Sequence, residues 1–436
     1  MPQSKTVRPA EPAGPGGIQE IPQQMLKTAQ ILRRFNFTEW GGTENVVWNT
    51  IGHLRSHNIS SEILATRAES SGDFEERDGV PIRRFDFFYP YWPLSVEAKA
   101  ALDRRGGDPV SFALYRHLAT SNYNLLHVHT PGRLARIALR AARKRNIPYI
   151  LSFHKGSFNI PEAEKREMLA PLRGTIPLGG LLDVLCGWRS DCVNGATGVI
   201  CVGETQAGLL REKYPSKRII HLHNGVDPDK FNRPVNVDIR REFGIPESRK
   251  ILLCVSRIDA QKNQKLLLRL TSALTEDGEN VHALLIGPTH ATYYAEELQQ
   301  LAKKLSICDR LTIIPGLGAD DERLIAAYQA AEVFVLPSLD EPFGIVVLEA
   351  WSAGIPVLAS AVGGLKQLVR DGVNGLLFES DNLTSLLEAY RTLEHSGIGD
   401  QLVANARREV RARYSWETVS SRLAEFYREC VEEMRS

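Results

Sequence analysis

The sequence predicts an α/β fold in which two domains each carry a parallel sheet with helices on both faces. Three observations carry that prediction. In the second half, the apolar runs KILLCV, HALLIG, LTIIPG and VFVLP alternate with amphipathic stretches such as EELQQLAKKL and DERLIAAYQAA, the rhythm of β-α-β units. The first half offers similar strands in NLLHVHT, PYILSF and GVICV. The chain has 436 residues, enough for two domains, and a polar Pro-containing stretch separates the two series. The expected division is a disordered segment over residues 1–25, a first domain over 26–228, a linker over 229–248, a second domain over 249–414, and a terminal helix over 415–436.

Composition narrows the class. The chain is 43% hydrophobic and 24% charged, ordinary for a globular protein. Its net charge of +1 is unevenly spread: residues 1–225 hold 29 Lys and Arg against 21 Asp and Glu, and the rest hold 24 against 31. A basic first half suits an anionic or membrane-bound partner. The six cysteines show no CxxC pair, which points to buried reduced thiols and a cytoplasmic setting, with the inner face of a membrane as an alternative location. No apolar run approaches the length of a membrane span, and no signal peptide is read in the polar start. No nucleic-acid partner is expected.

Taken in order, KTAQILRRF is the first strand, and Gly41–Gly42 lead into an amphipathic helix that Thr43 is placed to cap. SSEILATR and VPIRRFDFF are further strands. FDFFYPYWPLS, broken by Pro90 and Pro93, is an aromatic loop that lines an acceptor groove, touches lipid headgroups or packs on its own rings. NLLHVHT puts His127 and His129 on one face of a strand, either as metal ligands or in a structural role. The next helix, 133–145, aligns Arg133, Arg136, Arg140 and Arg143 in one stripe, a surface for anionic lipid or simply a solvated face. Residues 159–195 give no clear element. In the second half, Arg257 and Lys262 flank the loop after KILLCV, at the carboxyl end of a strand, where open α/β sheets bind ligands. SWETVSSRLAEFYRECVEEM reads as a helix capped by Ser415.

The stretch PSLDEPFGIVVLEAWSAGIPVLASAVGG, Pro337 to Gly364, organises the rest. It reads as loop, helix and strand following the strand VFVLP. Pro342, Phe343 and Gly344 sit where the helix begins, ahead of Ile345. Free N–H groups and the positive end of the helix make such a turn an anion site suited to a diphosphate. Glu341 and Glu349, eight positions apart, can each accept hydroxyl hydrogen bonds from a sugar or ribose. The competing reading is a helix cap and one solvated acid.

EPFGIVVLEAWSAGIPVLAS resembles the Glu-x7-Glu signature of family-4 retaining glycosyltransferases, and the similarity continues through Gly363–Gly364 and DGVNGLLF. That resemblance implies the GT-B fold: two Rossmann-like domains facing across a cleft, with the last helix crossing back to the first domain. It also implies roles. Glu341 contacts the donor sugar, Glu349 holds the ribose, Arg257 and Lys262 match the R-x4-K pair that grips the donor phosphates, and His154 in SFH projects toward the donor sugar. Gly42 belongs to the Gly-Gly loop near the phosphates and acceptor, and Phe343, Gly344 and Ile345 line the donor site. No cofactor and no metal are implied; the donor is a nucleotide-diphosphate sugar, with UDP favoured over GDP by family habit, and the acceptor is an unspecified hydroxyl. Asn263 and Gln367 depart from the residues usual at their positions. An epimerase or hydrolase on the same scaffold, or a non-catalytic nucleotide-sugar-binding module, are the alternatives.

Overall fold

A computed structural model describes residues 25–37, 42–70, 72–154, 170–188, 190–289, 292–318 and 321–435. Most of the segment expected to be disordered, and Gly41, lie outside the described residues. The strands are β1 (Leu26–Ile31), β2 (Ile59–Thr66), β3 (Phe74–Arg77), β4 (Val80–Phe85), β5 (Tyr91–Trp92), β6 (Leu125–Val128), β7 (Tyr149–Phe153) and β8 (Ile176–Pro177). They continue with β9 (Gly198–Cys201), β10 (Ile219–His221), β11 (Lys250–Val255), β12 (Val281–Ile286), β13 (Leu311–Ile314), β14 (Val333–Leu336), β15 (Val357–Ser360) and β16 (Leu376–Phe378).

Two parallel sheets result, in the GT-B arrangement. The first has the order β10-β9-β7-β6-β1-β2-β4-β3 and the second β13-β12-β11-β14-β15-β16. The edge pair β3–β4 is the antiparallel exception. It turns at Asp78–Gly79, both with positive φ, the Asp-Gly signal of a tight hairpin. The aromatic loop is partly ordered: β5 pairs antiparallel with β8.

Each sheet is buried on both faces, which is why its strands read as unbroken apolar runs rather than alternating ones. In β11, Ile251 and Leu253 join Val347 and Trp351 in one cluster, while Leu252 and Cys254 join Leu266 and Leu270 on the opposite face. In the first sheet, one face packs Leu134, Ile137 and Ala138 of the helix Arg133–Arg145. The other packs Leu423, Phe426 and Tyr427 of the helix Trp416–Glu433.

That terminal helix belongs to the first domain by packing although it ends the chain. Ser415 caps it by accepting from the Thr418 N–H at 3.1 Å. The two chain crossings run side by side: Val226 N donates to Tyr414 O at 2.8 Å, and Trp416 N to Val226 O at 3.2 Å. The stretch 229–248, expected as a linker, is not loose. Phe231, Ile239 and Ile245 are buried in the second domain's core, and the Gln329 amide donates to the carbonyls of Phe231 and Arg233. Its polar composition hid three apolar anchors. Thr43 lies inside its helix, which begins at Gly42, and so is not its cap. Among the described residues no helix is long and apolar enough to cross a membrane. All six cysteines are free.

Candidate functional site

The second sheet reverses its strand order between β11 and β14, so the loops after these neighbouring strands diverge to opposite sides and leave a crevice at their carboxyl ends. The loop after β11 carries Arg257 and Lys262; the loop after β14 carries Glu341 and Gly344. The two loops are stitched together. Leu339 N donates to Gln261 O at 2.8 Å, and the Gln261 amide reaches Asp340 Oδ2 at 3.4 Å. Across this seam Lys262 Nζ donates to Glu341 Oε2 at 2.7 Å, with the side chains only 11% and 13% exposed. Asp259 Oδ1 holds the Lys262 N–H at 3.2 Å and so fixes the turn that presents the lysine.

Arg257 sits on the same loop but bonds within it, to Asp259 Oδ2 and Gln261 Oε1, both at 3.2 Å. It is about half exposed and available to an anion entering the crevice.

Gly344 precedes the helix Ile345–Ala353 with φ 95°, a left-handed conformation that glycine adopts without steric cost. Phe343 is buried beneath it. Gly363 and Gly364 form the floor. A Cβ on Gly364 would stand 2.1 Å from the Pro342 carbonyl oxygen, and one on Gly363 2.4 Å from that of Glu341. Gly364 N donates to Glu341 O at 2.7 Å. The close approach of these two backbones explains why the sequence places two glycines there.

Glu349 lies one turn into the helix. The Tyr328 hydroxyl donates to its Oε2 at 2.8 Å, and burial pushes the carboxyl's pKa up while Tyr328 and Lys230 oppose that shift. Glu349 and Glu341 therefore hold different partners, one a tyrosine and one a lysine.

From the first domain, His154 follows β7. Its Nε2 lies 3.0 Å from His129 Nδ1, and burial lowers its pKa to about 4. Val202 N donates to Phe153 O at 3.2 Å, and the next residue, Gly203, faces the Pro342 carbonyl oxygen, which a Cβ there would meet at 3.6 Å. The β7 end of the first domain thereby adjoins the Glu341 loop of the second. Gln367, on the second domain, also donates to Thr205 Oγ1 at 3.0 Å. Gly42 opens the first helix, and a Cβ there would meet nothing within 4 Å among the described residues.

The arginine stripe is not a free cationic face. Arg133 and Arg136 both turn onto the buried carboxylate of Asp183, and Arg133 also binds Asp108. Arg140 and Arg143 reach Gly187 O and Ser190 Oγ at 3.4 and 3.3 Å. Asp183 lies within residues 159–195, which show no periodicity in sequence, so the counter-charge is not legible there. His127 and His129 bind hydrogen-bonding side chains, and among the described residues no group of three or more His, Cys, Asp or Glu side chains could hold a metal ion.

Two family models match the chain. "Glycosyltransferase Family 4" covers residues 40–230 and "Glycosyl transferases group 1" covers residues 236–412. The chain belongs to this family of glycosyltransferases. The D-inositol 3-phosphate glycosyltransferase of Geodermatophilus obscurus is 36% identical over 224 residues, 50% of this chain and 49% of the relative, so here the chain spans about half the relative's length. The enzyme of the same name from Nocardiopsis dassonvillei is 29% identical over 409 residues, 90% of each chain. Among solved structures, Anabaena HepE in complex with UDP and glucose superposes with a TM-score of 0.66 at 18% identity, covering 93% of this chain and all of that one.

The candidate site and the side chains around it include residues that sequence reasoning passed over. Gln261 and Asp340, which join the two loops, looked like ordinary loop polars. Tyr328 was hidden in an apolar helix, and Gln30 in the first strand. Only their position beside a charged or histidine partner marks them.

Proposed function

We propose that this glycosyltransferase moves a sugar from a nucleotide-diphosphate donor, UDP favoured over GDP, to a hydroxyl acceptor with retention at the anomeric carbon and without a metal. The observation that carries the reading is the Lys262–Glu341 pair, set beside the open end of the Ile345–Ala353 helix at the point where the sheet reverses. A diphosphate entering there draws Lys262 from Glu341 and meets the N–H groups ahead of Ile345, with Arg257 closing from the loop. Glu341 is then free to accept sugar hydroxyls, and Glu349 ribose hydroxyls. His154 faces the sugar from the first domain.

In the proposed reaction the bond from the anomeric carbon to the phosphate oxygen breaks as the bond to the acceptor oxygen forms on the same face. The acceptor's proton passes to the departing phosphate, whose charge Lys262, Arg257 and the helix end stabilise. The UDP bound by HepE supports the donor class, and the names of the relatives make inositol 3-phosphate one acceptor to try.

The test incubates the full chain with UDP- and GDP-sugars and a panel of hydroxyl acceptors that includes inositol 3-phosphate. A glycosylated acceptor with retained configuration, formed in the presence of a chelator, supports the reading. Free sugar or an epimer from donor alone supports a hydrolase or epimerase instead, and donor binding without turnover supports a binding module. For the basic helix, contact with an anionic surface falls to the exposed Arg140, Arg143 and Lys144, with exposed Leu181 and Leu185 on the helix that Asp183 ties to it. Co-sedimentation with phosphatidylserine vesicles that is lost at high salt supports this contact; no sedimentation excludes it.

A further inference from the structure

A chain of buried hydrogen bonds crosses the first sheet from the cleft to the terminal helix. His154 Nε2 lies 3.0 Å from His129 Nδ1, and His129 Nε2 lies 2.9 Å from Gln30 Oε1. The Gln30 amide nitrogen lies 3.0 Å from Thr28 Oγ1 and 3.2 Å from the Tyr427 hydroxyl. That hydroxyl lies 2.5 Å from His127 Nδ1, and His127 Nε2 lies 2.6 Å from Ser152 Oγ. Three strands and the terminal helix thus contribute to one network that begins at a proposed site residue.

The network has a direction. The Ser60 carbonyl, 3.4 Å from Thr28 Oγ1, can only accept; with the Thr28 proton placed on it, Thr28 takes a hydrogen from the Gln30 amide, and Ser61 Oγ at 2.8 Å can serve as either donor or acceptor. The Tyr427 hydroxyl has one proton and two acceptors in reach, Gln30 Oε1 at 3.4 Å and His127 Nδ1 at 2.5 Å; with the proton on the shorter contact, Tyr427 too accepts from the Gln30 amide. Both hydrogens of the Gln30 amide are then spent, its oxygen faces His129, and His129 carries its proton on Nε2. His129 Nδ1 is left as an acceptor, which requires His154 to carry its proton on Nε2. At His154 Nδ1 remains, and among the described residues this buried atom has no hydrogen-bond partner. Burial lowers the pKa of all three histidines, consistent with one proton on each ring.

We propose that Gln30, His129 and Tyr427 are positioning residues that fix His154 as the Nε2–H tautomer, so that its Nδ1 can take only a hydrogen-bond donor, such as a sugar hydroxyl, and not a phosphate oxygen. This rests on the cleft role proposed for His154, but the tautomer itself is a property of the ligand-free protein.

The experiment labels the histidines of the full chain with 15N and reads the tautomer of each ring from long-range proton–nitrogen correlations, assigning His154 by its absence in His154→Gln. In the wild type, Nε2 should read as protonated and Nδ1 as bare. In Gln30→Leu and Tyr427→Phe the two His154 nitrogens should shift toward the average of a mixed population, in protein that still melts cooperatively. Adding UDP-glucose, but not UDP, should shift Nδ1 and leave Nε2 in place. A wild-type His154 protonated on Nδ1 overturns the proposal whether or not either variant folds. So does a tautomer indifferent to both substitutions. A Nδ1 signal that moves equally with UDP overturns the hydroxyl assignment. Absence of sugar transfer in the assay above, with the ligand-free tautomer as stated, refutes the transferase reading and leaves the network intact.

Discussion

Lys262 Nζ sits 2.7 Å from Glu341 Oε2, and this bond joins the loop after β11 to the loop after β14. Lys262 and Glu341 neutralise each other, and under the proposed function the pair must open for a diphosphate to bind. Lys262→Ala should weaken UDP binding about 10- to 100-fold, the worth of one charge-assisted hydrogen bond. Calorimetry checks this. Glu341→Ala frees the lysine, and so should leave UDP binding equal or tighter while turnover on a UDP-sugar falls at least about 100-fold, as expected when a contact to the reacting sugar is lost. Equal loss of UDP affinity in both variants would contradict separate roles for the two residues.

The floor of the site gives a second expectation. In Gly364→Ala the new methyl would lie 2.1 Å from the Pro342 carbonyl oxygen and 2.9 Å from Phe343 Cα, both backbone atoms that cannot swing aside. The loop bearing Glu341 must shift. Stability should fall by about 1–3 kcal/mol, as in other overpacked sites, and UDP affinity about 10-fold or more. Urea denaturation and calorimetry measure the two effects. Gly372→Ala is the control: nothing lies within 4 Å of its Cα-borne methyl, but its φ of 69° carries backbone strain, so stability should fall while UDP binding holds.

The contrast between Glu341 and Arg133 shows what was legible. The strand, loop and helix around Glu341 follow local rules: apolar runs buried on two faces, a glycine before a helix, a proline after one. A fold made of such units is readable, and the switch point follows once the strand order is known. Arg133 and Arg136 were misread because their partner, Asp183, lies about fifty positions away in a stretch without periodicity. The same holds for Gln30 and Tyr427, which are 397 residues apart and meet through tertiary packing alone. Phe231, Ile239 and Ile245 escaped notice because isolated apolar residues in a polar segment carry no period.

At the domain junction, a Cβ on Gly225 would lie 2.5 Å from the Trp416 ring. Gly225→Ala should push that ring from its seat between the two crossing strands of chain, lowering stability by about 1–3 kcal/mol. Trp416→Ala removes the ring and leaves a cavity, with a loss of about 3–5 kcal/mol. Since the two act at one contact, the double variant should lose clearly less than the sum. Strict additivity, measured by urea denaturation, would show that Gly225 is not conserving space for Trp416.

Acid should destabilise the protein before its carboxylates titrate. Burial lowers the pKa of His223 to about 3 and of His282 to about 4, and holds those of His127 and His129 well below 6.5. The unfolded chain binds protons at these rings as pH falls below about 6.5, whereas the folded chain does not until near its own lower values. Their contribution is therefore fully present above about pH 6.5 and is lost as pH falls toward the folded pKa values, by about 1.4 kcal/mol per pH unit for each ring. Urea midpoints taken between about pH 7 and about pH 5 should drop steadily, with a slope corresponding to the uptake of several protons on unfolding. His282 is bonded to Thr312 Oγ1 at 2.9 Å and lies in the second domain, far from the proposed chemistry. His282→Gln should reduce the slope by about one proton while UDP affinity stays unchanged. A flat profile over that range would show that the buried rings are already charged in the folded protein.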